Sequence, residues 1–284
     1  MTDKAEQKKA ALKKIAKFRE QVSRSAWRLD RDAVFARLAT LVGNPSLVDQ
    51  NGLNLCGPAA FLRVWLENDP CAVVDFACKL YEDGKASIGK LSVEPDEDSL
   101  FDEDYDQIKR DYEDAHKEHG CVFTPQAEWM ILGSIRDAFN TWTDFDGTPE
   151  EGYDAMTLPG EVAEWLEATG QYESVENEGN FFFTKGLEHA QGLKPGDSTD
   201  ILLLINAHIL SEMQVPTGNK KSDGFLSSAF PNHFVVLTKP IEITQDGKVK
   251  ISVWSWCAVY EGTISKETFE ANYYGAVTGT KTKD

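Results

Sequence analysis

The sequence predicts an α+β protein with its helices first and an antiparallel sheet last. Apolar residues recur at helical spacing through much of the first 170 residues. Breakers and caps at Asp30, Gly43-Asn44-Pro45, Asn68-Asp69-Pro70 and Thr124-Pro125 cut that part into separate helices. Residues 200–257 instead hold long apolar runs with a hairpin signal at Gln245-Asp246-Gly247. Helical segments followed by strands define the class.

Residues 4–24 read as a basic amphipathic helix whose stripe is Ala11, Leu12, Ile15 and Phe18. It is expected to pack on the domain, with membrane or chaperone binding as the alternative. Asp30 caps a helix over 31–42, and Asn51-Gly52 marks a turn. Helices follow at about Cys56–Leu66 and at 71–82. The acidic stretch 95–119 reads as a helix with a flexible lead-in, or as a mobile surface insertion. Thr124 at the cap, Pro125 at the first position and Glu128 in the first turn open a helix to about Trp142. Residues 144–153 form a Gly- and acid-rich loop, and Leu158-Pro159 leads a helix to about Ala168 that Gly170 stops.

The last third is expected to hold strands at 200–210, 233–243 and 248–257, with Phe181–Thr184 as an edge strand. The polar loop 211–231 carries Pro216, Gly218 and Gly224 and leads directly into His233. Its length between two strands suggests a mobile lid beside the site. The expected layout is a helical N-terminal extension over 1–45 and one larger domain over 46–284.

Composition narrows the function. The chain has 284 residues and a formal net charge of −18, so nucleic acid is not an expected partner. It has no run of 18 apolar residues, so no stable membrane insertion is expected. The N-terminus lacks the apolar core of a secretory signal. The expected location is the cytoplasm of the producing cell, or export by a specialised system that needs no signal peptide. Charge is uneven: residues 1–31 hold ten Lys or Arg against four acids, and residues 94–119 hold twelve acids against three bases. Solvated faces are the ordinary meaning of such blocks. The five cysteines form no CxxC pair and show no zinc-type spacing with histidine. A reducing compartment is therefore expected, with no metal and no cofactor. Cys71, Cys78 and Cys257 lie in apolar stretches and read as packing residues.

Cys56 has a different setting, at the predicted start of a helix. Unpaired backbone N–H groups and the helix dipole there favour the thiolate. Gly57 is expected to leave room for substrate beside the sulfur, and Ala59 and Ala60 to let the helix pack closely. Gln50, six residues upstream, can donate to the oxyanion of a tetrahedral intermediate together with the Cys56 N–H. A Cys nucleophile also needs a base. His116 and His119 lie in the acidic stretch, His189 in a polar loop region, and His208 in an apolar strand as a core histidine. His233 opens a strand after Pro231-Asn232, where it is expected at a sheet edge facing a cleft.

Gln50-x5-Cys56-Gly57, followed much later by His233 on an antiparallel sheet, resembles the papain-like superfamily of cysteine hydrolases. That superfamily includes bacterial effector and toxin hydrolases. The resemblance covers about 12 residues around Cys56 and 25 from Asn232 to Trp256. It implies a papain-like catalytic domain in which Cys56 is nucleophile, His233 general base and acid, and Gln50 oxyanion donor. Family members orient the histidine with Asn or Asp, often in an Asn-Ser-Trp-Gly run. Here Val253-Trp254-Ser255-Trp256-Cys257 places Trp254 where Asn belongs. Ser255, Glu261 or a backbone carbonyl could orient the imidazole, or a Cys-His dyad could act alone. The implied activity is that of a protease, amidase or deamidase on a protein or peptide substrate, with acyl transfer as a variant. An inactive member that binds through its acidic surface is the alternative. An effector-type role implies an immunity or chaperone partner.

Overall fold

The computed structural model describes residues 3–21, 24–95, 100–101, 103–139, 157–215 and 230–282. The chain divides into two compact units, residues 1–157 and 158–283. The first is helical and the second is built on an antiparallel sheet, so the class is α+β. The division falls at 157/158 and not at 45, because the first two helices pack inside the first unit.

In the first unit, α1 (Lys4–Gln21) buries Ala11 and Ile15. It packs on α2 (Arg31–Gly43) and α4 (Pro70–Asp83). Phe18 meets Phe35 with ring centroids 5.1 Å apart. Lys14 pairs with Asp75 and Arg19 with Asp32, so part of the basic face is taken up by neighbouring helices. Asp30 caps α2 by accepting the Ala33 N–H at 2.6 Å. Asp69 caps α4 in the same way, accepting from Ala72 at 2.9 Å, and Gly84 ends that helix at φ +74°.

Helix α3 (Cys56–Asn68) is buried at every residue from Cys56 to Leu66. Such all-round burial marks a central helix. Each fully buried large side chain, such as Phe61 and Leu62, contributes about 1.5–3 kcal/mol. Two short strands, β1 (Ala86–Ile88) and β2 (Leu91–Val93), form a hairpin too brief for an alternating pattern to reveal. Within the acidic stretch, α5 (Tyr105–Ala115) is a helix whose Tyr105 hydroxyl donates to the Thr124 carbonyl at 2.8 Å. It lies close to the Asn51-Gly52 turn: a Cβ on Gly52, at φ +84°, would stand 2.9 Å from the Tyr112 ring. Helix α6 (Gln126–Phe139) is buried from Ala127 to Asp137. The expected end at Trp142 and the loop 144–153 lie outside the described residues.

The second unit contains α7 (Pro159–Ala168), β3 (Tyr172–Asn177), α8 (Leu187–Gly192), β4 (Thr199–Ile205) and α9 (His208–Glu212). It continues with β5 (His233–Leu237), β6 (Glu242–Ile243), β7 (Val249–Ser255), β8 (Ala258–Ile264), α10 (Lys266–Asn272) and β9 (Tyr273–Lys281). The sheet runs β3-β9-β4-β5-β7, with β6 and β8 also paired to β7, and every pairing is antiparallel. Ile201, Leu203, Val235, Leu237, Ile251 and Val253 form one buried cluster with Leu187 of α8, Ile209 of α9 and Phe269 of α10.

Several expected elements differ. The strand expected at 233–243 is two pieces, β5 and β6, both on β7; Pro240 between them has no N–H for the ladder. The strand expected at 200–210 stops at Ile205. The Asn206 side chain accepts the His208 N–H at 3.0 Å and donates to the Phe230 carbonyl at 2.9 Å, which starts α9 instead. His208 is therefore an exposed helix residue and not a core histidine. Phe181–Thr184 is a turn, because Asn180 Oδ1 accepts from Phe182 and Phe183 at 2.7 and 3.0 Å; the edge strand is β3. Of the loop 211–231, residues 216–229 lie outside the described residues.

Candidate active site

Gln50 and Cys56 belong to the first unit, His233 and Ser255 to the second. The backbone around Gln50 is fastened on both sides. Arg37 Nη2 donates to Glu128 at 2.5 Å and to the Leu47 carbonyl at 2.6 Å, and its Nε reaches both carboxylate oxygens at 2.9 and 3.1 Å. Glu128 also accepts the Asp49 N–H at 3.3 Å. Beyond Gln50, the Asn51 carbonyl accepts from the Thr124 N–H at 2.9 Å and from its hydroxyl at 2.6 Å. Glu128 is thus no exposed first-turn acid: it is fully buried, and desolvation pushes its carboxyl up to about 7 against the pull of Arg37. Burial also raises the carboxyl of Asp49. Gln50 itself is 2% exposed, and its Oε1 has no hydrogen-bond partner among the described residues.

Cys56 is the first residue of α3 and is 9% exposed. Leu55 holds the cap position and supplies no side-chain cap. Pro58 has no N–H, and the Ala59 N–H bonds the Leu55 carbonyl at 2.9 Å. The expectation for Gly57 is corrected. Its missing side chain does not leave space open: a Cβ there would stand 2.5–2.6 Å from Cγ2, Cβ and Oγ1 of Thr157. Glycine is needed because Thr157, itself 3% exposed, packs against the first turn of α3.

His233 opens β5, which lies between β4 and β7. It is therefore in an interior strand and not at a sheet edge, and it is 3% exposed. Its Nε2 lies 2.7 Å from Ser255 Oγ at the end of β7. When Nε2–H donates to that oxygen, Nδ1 carries the lone pair that a general base requires. Trp256 stacks on the imidazole, with ring centroids 4.6 Å apart and planes 23° from parallel. Glu261 is engaged elsewhere: it pairs with Lys239, which holds its carboxyl below the usual range, and accepts from Ser252 at 3.4 Å.

The strand expected at 248–257 ends at Ser255 because Trp256 and Cys257 form a two-residue hairpin turn, with Ser255 opposite Ala258. Both turn residues have positive φ, +39° and +58°. Such a turn ordinarily uses Asn-Gly or Gly-Gly, so the sequence carried no signal for it.

His116 Nδ1 lies 2.8 Å from the Tyr112 carbonyl, and its ring stacks on Tyr112. His189 lies on α8, not in a loop. Its Nε2 is 2.8 Å from Glu178, and its Nδ1 is 2.8 Å from the hydroxyl of buried Tyr273. Among the described residues, no group of three or more His, Cys, Asp or Glu side chains could hold a metal ion. No described helix is long and apolar enough to cross a membrane. Comparison with protein-family models, curated proteins and solved structures returned no match.

Proposed function

We propose that the chain is a thiol-dependent hydrolase of papain-like type. Cys56 attacks an amide or acyl carbon of a protein or peptide substrate. As the sulfur–carbon bond forms, the carbonyl π pair moves onto oxygen, where the Gln50 carboxamide and the Cys56 N–H receive it. His233, oriented by Ser255, takes the thiol proton and returns it to the leaving amine as the tetrahedral intermediate collapses. Water, deprotonated by the same imidazole, then hydrolyses the thioester. An amine or alcohol in place of water gives acyl transfer. The reading extends to a delivered bacterial effector or toxin with an immunity or chaperone partner.

The observation that carries this reading is the His233–Ser255 hydrogen bond beneath the Trp256 ring. It supports the reading because it gives the proposed base an orienting partner, one position along from where papain-like enzymes carry Asn. The mechanism requires His233 to act on the Cys56 sulfur, and alkylation kinetics test that link. At about pH 6.5, His233→Ala should slow iodoacetamide alkylation of Cys56 at least about tenfold. At about pH 9.5, where thiols ionise unaided, the two proteins should react alike. Equal rates at both pH values would remove His233 from the mechanism.

A second reading, a non-catalytic binding protein of the same type, is favoured by burial. Cys56, Gln50 and His233 are only 9%, 2% and 3% exposed. In that case Cys56 would resist alkylation in the native protein at every pH.

A further inference from the structure

No local pattern along the chain singles out Thr157. It is 3% exposed, and its Oγ1 has no hydrogen-bond partner among the described residues. A buried hydroxyl left unpaired is unfavourable and uncommon. Its location is specific. Its Oγ1 stands 2.6 Å from where a Gly57 Cβ would be, against the first turn of the helix that Cys56 opens. Leu55, at the cap position of that helix, supplies no side-chain cap. A helix N-terminus carries partial positive charge, and a threonine hydroxyl can donate as well as accept. An oxygen that becomes negative beside Cys56 would complete this arrangement.

We propose that Thr157 is a further oxyanion donor at Cys56, a proposal that rests on the reading of Cys56 as the nucleophile. The Thr157 O–H donates to the carbonyl oxygen as the sulfur–carbon bond forms and the π pair moves onto that oxygen. The bond is released when the pair returns and the leaving group departs. Gly57 is glycine because any side chain would displace this hydroxyl.

The experiment compares two reagents on Cys56 of the full chain. p-Nitrophenyl acetate acylates a thiol through a tetrahedral oxyanion and releases nitrophenolate. Methyl methanethiosulfonate forms a mixed disulfide with the same thiol and no oxyanion. Both products are located by mass on the Cys56 peptide, with Cys56→Ala as background. Thr157→Val keeps the shape and removes the hydroxyl. It should slow acylation at least about tenfold, towards the roughly 10²–10³ scale of one lost oxyanion donor. Disulfide formation should stay within about twofold, since that reaction places no charge on oxygen. Thr157→Ser should restore acylation. If Thr157→Val loses its thermal transition, Thr157→Ser against Thr157→Ala gives the same comparison. Acylation and exchange that are both unchanged, or that fall together, would make Thr157 a packing residue and leave the thiol mechanism standing. Failure of wild-type Cys56 to react with either reagent would overturn the nucleophile assignment itself, and this proposal with it.

Discussion

The indole of Trp256 lies flat on the imidazole of His233, ring centroids 4.6 Å apart, and is presented by a backbone at φ +39°. A bulky side chain in that region is disfavoured by on the order of 1–3 kcal/mol and persists only where its surroundings enforce it. Here the β7–β8 register, with Ser255 opposite Ala258, leaves two residues to make the turn. Strain at Trp256 is thereby coupled to a cover over the His233–Ser255 bond.

Glycine at the two turn positions should have opposite effects on stability. Cys257→Gly relieves a backbone at φ +58° and should raise Tm by a few degrees, reflecting about 0.5–1 kcal/mol. Trp256→Gly relieves similar strain but removes a side chain that is only 7% exposed, a loss of about 3–5 kcal/mol. Thermal melts of both variants decide the point. If Trp256→Gly also stabilises, the indole is not packed on His233 in solution.

Ser255→Ala removes the hydroxyl 2.7 Å from His233 Nε2. Alkylation of Cys56 at neutral pH should slow by about fivefold, the scale of one neutral hydrogen bond. Ser255→Asn, which supplies the orienting carboxamide that papain-like enzymes use, one position along the chain, should recover part of that loss. Wild-type kinetics in Ser255→Ala would mean that Ser255 does not orient the base.

The thiols should react in a definite order. Burial pushes the Cys78 thiol up to about 12 and raises that of Cys71. Under limiting iodoacetamide, Cys56 should be labelled first and Cys78 last, as read by peptide mass mapping. Early labelling of Cys71 with Cys56 spared would contradict the site.

Glu128 should make stability depend on pH with a negative slope. Its ordinary value is 4.5, and burial raises it to about 7 in the folded chain. Between those values the folded state keeps a proton that the unfolded chain has released. Stability therefore falls as pH rises through this window, by up to about 3 kcal/mol, and levels off above it. Asp49, also raised by burial, adds in the same direction. Urea midpoints from about pH 5 to pH 8 should decline in the wild type and flatten in Glu128→Gln. Parallel profiles would show that the carboxyl is not desolvated.

Much of the helical part was legible because its signals are local. Asp30, Asp69 with Pro70, and Gly170 each act within a few residues, and the helices they bound stand where their caps place them. Cys56 at the head of a helix was legible for the same reason. The sheet was legible only in its apolar runs. β4, β5 and β7 coincide with those runs, whereas β8 and β9 interleave polar residues or glycine; β8 follows a turn with no glycine in it, and β9 follows α10 directly.

By itself, the sequence determined the α+β order of elements, the helix that begins at Cys56 and the strand that begins at His233, since capping and periodicity depend on neighbours along the chain. Only the tertiary structure decided that Glu128 holds Arg37 across 91 positions, that Thr157 fills the space above Gly57, and that Ser255 lies on His233 across 22. Those contacts depend on which side chains folding brings together and dries, and no local pattern encodes the partner.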